Sequence, residues 1–437
     1  MSNTHLKVVA GGRVIDPQAK LDCKADIYIE DEKIKKIETG SLLSKKDLKS
    51  FSPGECFWAD GYIVTPGLID IHVHLREPGR EDEETIATGA EAAAAGGFTA
   101  ICCMPNTSPP IDNQETVQFV LDRAADAPVK VFPIGAITKR REGKQLAEIG
   151  DLVSAGAVAI SDDGSPVDST AVMRRALEYV HMFDIAVVSH AEDLSLSADS
   201  HMNEGYTSTV LGIKGDPSIS EEVCVARDIL LAKYSGSRLH IAHVSTKGTV
   251  ELIRAAKRSG VTMTAEATPH HFTLTDDLIA KRFDTNLKMK PPLRTKVDVE
   301  AVIAGLQDGT LDCIASDHAP HSIEEKDVEF QLAPNGIIGL ETSLALAITH
   351  LVKPGFISWS DLVERMSSNP AKVMKLRMGA LKKGYPADIT VIDPEMVWNV
   401  NVNKFKSKSR NSPYHGKRLT GRTIMTIVDG KIVYQAI

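Results

Sequence analysis

Two histidines spaced i, i+2, His72 and His74 in the run "DIHVHLREPG", are the residues of this chain best suited to chemistry. Residues two apart in a β-strand project from one face, so both imidazoles point the same way. The apolar run "GYIVTPGLID" leads straight into the pair and predicts a buried strand that ends there. Paired imidazoles at a strand end grip a divalent transition metal, zinc above all. The pair alone is also compatible with two ordinary buried histidines, so the rest of the chain decides.

The elements that must position these side chains recur along the middle of the sequence. Eight β-rich runs follow one another: "YIVTPGLIDIHVH", "GGFTAICCMPNT", "KVFPIGAIT", "AVAISDD", "IAVVSHAED", "RLHIAHVS", "VTMTAEATPHH" and "LDCIASDHAPH". Amphipathic segments such as "STAVMRRALEYVHMF" and "TVELIRAAKRSG" lie between them. Strands alternating with helices predict βα units and a parallel sheet. Eight such units predict a (β/α)8, TIM-like barrel, and an interval of roughly 300 residues accommodates one. A doubly wound open sheet is the alternative, but its Gly-rich phosphate loop after the first strand is missing.

The two ends of the chain read differently. Short alternating runs there ("KVVAGGRVID", "DIYIEDEKIKKIE", "DITVIDPE", "GRTIMTIVDGKIVY") are broken by Gly, Pro and Asp-Gly turns. They predict a small β-sandwich built from both termini. The expected division is 1–62 and 379–437 for its two parts, with the barrel over 63–378.

Catalytic groups of barrel enzymes sit at the C-terminal strand ends. Reading only those ends gives His72 and His74 on the first strand and Asp162 and Asp163 on the fourth. The fifth strand adds His190, the sixth His243, and the eighth Asp317, with His318 and His321 just beyond. His240 and His350 fall outside this pattern and read as solvated or core-satisfied. Imidazoles and carboxylates converging on one mouth suit zinc, one ion or two, with manganese, cobalt or iron chemically admissible. A divalent ion lowers the pKa of bound water toward ~7. A strand-four carboxylate would bridge two ions, and Asp317 would take the proton of the attacking water and pass it to a leaving nitrogen. This is machinery for amide or phosphoester hydrolysis, and no G-x-S-x-G motif competes with it.

Composition narrows the setting. Hydrophobic residues at 43% and charged residues at 25% are ordinary for a globular protein, which argues against extended disorder. A net charge of −8 offers no basic field to nucleic acid or anionic membrane. No apolar stretch is long enough to span a bilayer, and the N-terminus lacks a secretory pattern. The six cysteines contain no C-x-x-C pair, consistent with a reduced, cytoplasmic, soluble protein.

The segments "DIHVHLREPG", "GGFTAICCMPNT", "ISDDGSPV", "SHAED", "IAHVST", "EATPHHF", "KMKPPLR", "SDHAPH" and "GIIGLET" closely resemble, in order, the motifs of type I dihydroorotases of the amidohydrolase superfamily. The resemblance extends to the ends, with "GGRVIDP" and "KGYPADITVIDP". It implies reversible hydrolysis of L-dihydroorotate to N-carbamoyl-L-aspartate in pyrimidine biosynthesis. Carried over position by position, it implies zinc ligands at His72, His74, His190 and His243. It also selects Asp163 over Asp162 as a further, bridging ligand, leaving Asp162 to hold the turn. Asp317 becomes both ligand and general base, and Arg76, Asn106 and His321 the receptor for the substrate carboxylate. A forked guanidinium suits a planar carboxylate because two parallel hydrogen bonds fix its orientation.

One position departs from the family pattern. Lys290 stands where the family commonly has the substrate-binding Asn of "NPPLR", so an ammonium replaces an amide there. Many relatives bridge their metals with a carbamylated strand-four lysine, whereas "AVAISDDG" contains none and Lys139 ends strand three. Two rival readings stand beside the dihydroorotase one: an allantoinase or hydantoinase, and a silent scaffold for aspartate transcarbamoylase. Retention of every candidate ligand speaks against the silent form. A homodimer is the expectation on base rates, and association with aspartate transcarbamoylase stays open.

Overall fold

Short parallel strands and the helices between them close into a barrel in the computed structural model, which describes residues 6–40 and 42–436. The barrel strands are β1 (Leu68–Val73), β2 (Phe98–Cys103), β3 (Lys130–Pro133), β4 (Ala159–Ser161), β5 (Ala186–Ser189), β6 (Arg238–Ile241), β7 (Met263–Ala267) and β8 (Cys313–Ile314). β1 to β3 form one parallel run and β4 to β8 another. Two single bridges, Gly135 to Ile160 and Val73 to His318, join the runs into a ring. β1, β2, β4 and β5 are buried along their whole length, as expected for strands covered on both faces. The expected (β/α)8 architecture is therefore present.

The outer helices pack against the strands and against one another. Helix α1 (Ile86–Gly96) starts at Thr85, whose side chain accepts the Thr88 amide, and stops at Gly97 in the left-handed region (φ 95°). Its small residues let it lie close to the sheet, and a Cβ on Gly96 would come within 2.2 Å of the Leu340 carbonyl oxygen. Helix α2 (Thr170–Val180) packs beside α3 (Ile219–Ser235), and α3 beside α4 (Lys247–Arg258).

Both termini build a second module. Ile63–Pro66 pairs antiparallel with the start of Ile389–Asn399 and parallel with Val8–Asp16, so N- and C-terminal strands interleave in one continuous eight-stranded sheet. That sheet has its own apolar core, including Val14, Ile27, Val64, Ile389 and Ile427. All six cysteines are free thiols. Among the described residues no helix is long and apolar enough to cross a membrane.

Candidate metal centre and active site

The barrel places its polar residues where strands stop. His72 lies within β1 and His74 one residue past it; Asp163, His190, His243 and Asp317 lie just beyond β4, β5, β6 and β8. Three site residues leave extended geometry abruptly: Arg76, His243 and Asp317 have φ of 60°, 33° and 48°. Such backbone is costly for residues with a Cβ and re-aims their side chains from the strand direction into the mouth. Helix α3 holds the chain from behind where it leaves β5 and β6. Its Asp228 accepts the Ser189 hydroxyl (2.6 Å) just before His190, and its Glu221 accepts the Ser245 and Thr246 amides (3.1 and 3.2 Å) just after His243.

Asp163 stands at the centre of the cage. Its Oδ1 is 3.4 Å from His72 Nε2, 3.3 Å from His190 Nδ1 and 3.5 Å from His243 Nε2. Its Oδ2 is 3.5 Å from His74 Nε2. Asp317 Oδ1 faces the same side, 3.1 Å from His74 Nε2 and 3.5 Å from His72 Nε2. Donors held ~2.0–2.1 Å from one tetrahedral ion are about 3.4 Å apart, so these separations match the edges of a zinc-sized polyhedron. His72 Nε2, aimed into the cage, has no hydrogen-bond partner although fully buried. The donors form two overlapping groups, His72–His74–Asp163 and Asp163–His190–His243, with Asp163 common to both. These residues fit a divalent ion, and the shared carboxylate fits two.

Charge on the base is settled by its surroundings. Burial works against ionisation of Asp317, but His72 and His74 outweigh it and hold its carboxyl below the usual range. Asp317 therefore carries the lone pair a proton acceptor needs at neutral pH. Asp162 turns away from the cage. Its carboxylate accepts the Ile137 and Thr138 amides (2.8 and 3.1 Å) and the Thr138 hydroxyl, and burial pushes it up to about 6. It thus ties β4 to the segment after β3, while its backbone carbonyl accepts the Ser165 amide at 2.8 Å and holds its own turn, as the sequence suggested. Lys139 pairs with Glu148 at 2.9 Å and takes no part in the cage.

A layer of carboxylates and amides orients the imidazoles. Glu266 on β7 accepts the His72 Nδ1 proton at 2.6 Å and lies 3.1 Å from His240 Nε2. His240, core-satisfied as expected, thus helps hold the carboxylate behind a cage histidine. Asn106 Oδ1 lies 2.7 Å from His74 Nδ1, which leaves its amide group as a donor. Sequence reasoning missed Glu266, although a carboxylate inside the apolar strand "TAEAT" was a readable signal.

The remaining expected residues gather beside the cage. Arg76 Nε donates to the Pro320 carbonyl and pairs with Glu83, each at 3.0 Å, and its Nη2 is 3.4 Å from His321 Nε2. Glu83 also lies 3.0 Å from His321 Nδ1, so one buried carboxylate aligns both. Lys290 is held by Glu192 at 2.6 Å, and Glu192 reaches His190 Nε2 at 3.4 Å. The ammonium is therefore ion-paired at the mouth, one residue removed from the cage.

A parallel eightfold barrel with imidazoles and carboxylates at its C-terminal mouth defines a metal-dependent barrel amidohydrolase. The L-hydantoinase (dihydropyrimidinase) from Arthrobacter aurescens superposes with a TM-score of 0.87 at 27% identity, over 99% of this chain and 96% of that one. A dihydropyrimidinase from Brevibacillus agri shares the fold (TM-score 0.83, 22% identity, 98% and 95% coverage). Residues 61–249 match the family model described as Dihydro-orotase-like. Sequence is closer still to a dihydroorotase of Acetivibrio thermocellus, 53% identical over 98% of each chain. A dihydroorotase of Syntrophotalea carbinolica is 52% identical over 98% of this chain and 99% of that one. This chain belongs to the dihydroorotase family, and it is a cyclic amide hydrolase.

Proposed function

We propose that the chain catalyses the reversible hydrolysis of L-dihydroorotate to N-carbamoyl-L-aspartate, a cytoplasmic step of de novo pyrimidine biosynthesis. The observation that carries this is the convergence of Asp163, four imidazoles and an ionised Asp317 on one point, with Arg76, Asn106 and His321 beside it. His72, His74, Asp163, His190, His243 and Asp317 would hold one or two zinc ions. When bound, zinc supplies a water acidified toward ~7 and Lewis acidity toward the ring carbonyl.

The chain's own groups do the rest. Asp317 removes a proton from the attacking water as the C–O bond forms, then delivers it to the ring nitrogen as the amide C–N bond breaks. Arg76, the Asn106 amide and His321 hold the substrate carboxylate and so fix which ring face meets the cage. Lys290 adds a cation to that receptor. Hydrolysis generates a new carboxylate and releases a proton near neutral pH, so ring closure is favoured at lower pH. The chain assembles as a homodimer, the commonest closed arrangement of soluble proteins.

The A. aurescens structure keeps a second reading alive, hydrolysis of a hydantoin-type ring. A carboxylate receptor speaks against it, because a hydantoin ring carries no carboxylate to hold. Zinc-reconstituted protein offered L-dihydroorotate, N-carbamoyl-L-aspartate, allantoin and hydantoin should interconvert the first two, followed by ultraviolet absorbance. Turnover of allantoin or hydantoin without dihydroorotate would refute the assignment.

A further inference from the structure

Arg141, in the segment between β3 and β4, is a largely buried cation with no acid to balance it. Among the described residues it forms no ion pair. Its Nη2 donates to the Asp163 carbonyl and to the Ser165 hydroxyl (3.0 Å), while its Nε, closed off from solvent, has no hydrogen-bond partner. A guanidinium taken out of water is ordinarily matched to a carboxylate, because an unmatched one is costly. The backbone beneath it is costly too: Arg140 and Arg141 both have φ of 55°. Hydrogen bonds hold that conformation, from the Arg140 amide to the Asp112 carboxylate (2.7 Å), the Gly143 amide to the Thr138 hydroxyl (2.9 Å) and the Lys139 amide to the Gln145 carbonyl (2.8 Å).

That strained segment delivers the guanidinium to the catalytic mouth. A Cβ on Gly164 would lie 3.5 Å from Arg141 Nη2 and 3.8 Å from Asn106 Nδ2, so the two donors flank the room that this glycine leaves. Asn106 is oriented there by His74, which engages its Oδ1 and leaves Nδ2 to donate. The other cations assigned to the substrate are already balanced, Arg76 by Glu83 and Lys290 by Glu192. An anionic substrate gains most from a cation whose charge is not yet matched. We infer that Arg141 is a further substrate-binding residue, its guanidinium joining the Asn106 amide on the substrate carboxylate. The inference rests on the carboxylate receptor proposed above and adds the member that brings it an uncompensated charge.

A purely supporting role for Arg141 fits the contacts less well. The turn that carries Asp163 is fastened without it: the Asp162 carboxylate accepts the Ile137 and Thr138 amides, and the Asp162 carbonyl accepts the Ser165 amide at 2.8 Å. A carbonyl and a hydroxyl need only a neutral donor, yet the chain places a permanent charge there. Both acceptors bind Nη2, and Nη1 has no partner among the described residues. A planar fork held at one nitrogen presents the other to a carboxylate.

The test compares zinc-reconstituted wild type, Arg141→Gln and Arg141→Lys on L-dihydroorotate and on its methyl ester, the same ring without the charge. Arg141→Gln keeps a donor for the Asp163 carbonyl and removes the cation. It should raise KM for L-dihydroorotate about 10–100-fold with kcat little changed, the effect of losing one charge-assisted contact. Competitive inhibition by the methyl ester and zinc content should match wild type, and Arg141→Lys should fall between the two. Should Arg141→Gln not fold, Arg141→Lys carries the same comparison of acid against ester. A wild type inert toward L-dihydroorotate would refute the reaction itself. With an active wild type, an unchanged KM in Arg141→Gln, an equal loss of affinity for acid and ester, or a loss of zinc would overturn the role of Arg141 alone.

Discussion

Glu266 accepts a proton from His72 Nδ1 at 2.6 Å, and that contact leaves His72 Nε2 as the nitrogen facing Asp163 and Asp317. The carboxylate has no proton to give, so the tautomer of His72 is determined by a residue 194 positions away. Glu266→Gln should weaken metal binding by about 10–100-fold, the usual effect of losing a partner behind a ligand. Chelator competition on the variant checks this; unchanged affinity would relegate Glu266 to core packing.

Asp162 and Asp163 are adjacent and do opposite work. Asp163→Ala should abolish stoichiometric zinc binding, while Asp162→Ala should keep the metal and lose stability by about 1–3 kcal/mol, the cost of stranding the buried amides it now satisfies. Because strand four offers aspartate and no lysine, reconstitution should proceed equally with and without bicarbonate. Metal analysis and thermal melts on the two variants separate the roles, and the reverse ranking would exchange them.

The barrel and most of the cage were legible in the sequence for a physical reason. Buried parallel strands need apolar β-rich runs, and catalytic groups cluster at their ends, so "IDIHVH", "ISDD", "VSHAED" and "IASDHAPH" announce both. What was not legible is how those side chains are oriented. Glu83, Glu192 and Glu266 act on Arg76, His190 and His72 through contacts that exist only after folding, and for Glu266 they cross the barrel. A terminal module built from both ends was expected; what the sequence did not show is the register that joins Ile63–Pro66 to Ile389–Asn399 in one continuous sheet.

Lys290 offers a test of the departure from the family pattern. Lys290→Ala should raise KM for dihydroorotate severalfold, with a penalty that shrinks at high salt as the ammonium's field is screened. Lys290→Asn should recover much of the affinity. Steady-state kinetics at two ionic strengths decide; unchanged KM in Lys290→Ala would remove this residue from the receptor and leave it only to neutralise Glu192.

Glu341 makes stability depend on pH. Partial burial pushes the carboxyl up to about 8 from an ordinary 4.5, although the Lys406 and Ser407 amides donate to it at 2.8 and 3.1 Å. A raised folded-state pKa means that the stabilising contribution is complete below about 4.5 and is lost as pH climbs toward about 8. Glu341→Gln keeps the acceptor and removes the titration. Its melting temperature should fall less than that of the parent between pH 5 and pH 9, and parallel curves would contradict the assignment.

Asp317 carries the central claim, a proton-transferring carboxylate placed against a metal cage that acts on dihydroorotate. Asp317→Asn keeps the shape of the side chain and loses the basic lone pair. The most direct measurement is kcat/KM for L-dihydroorotate in Asp317→Asn and wild type at matched, independently quantified zinc content. The account predicts a fall of roughly 10²–10⁴-fold with metal retained. A fully metallated variant working at near wild-type rate would contradict it.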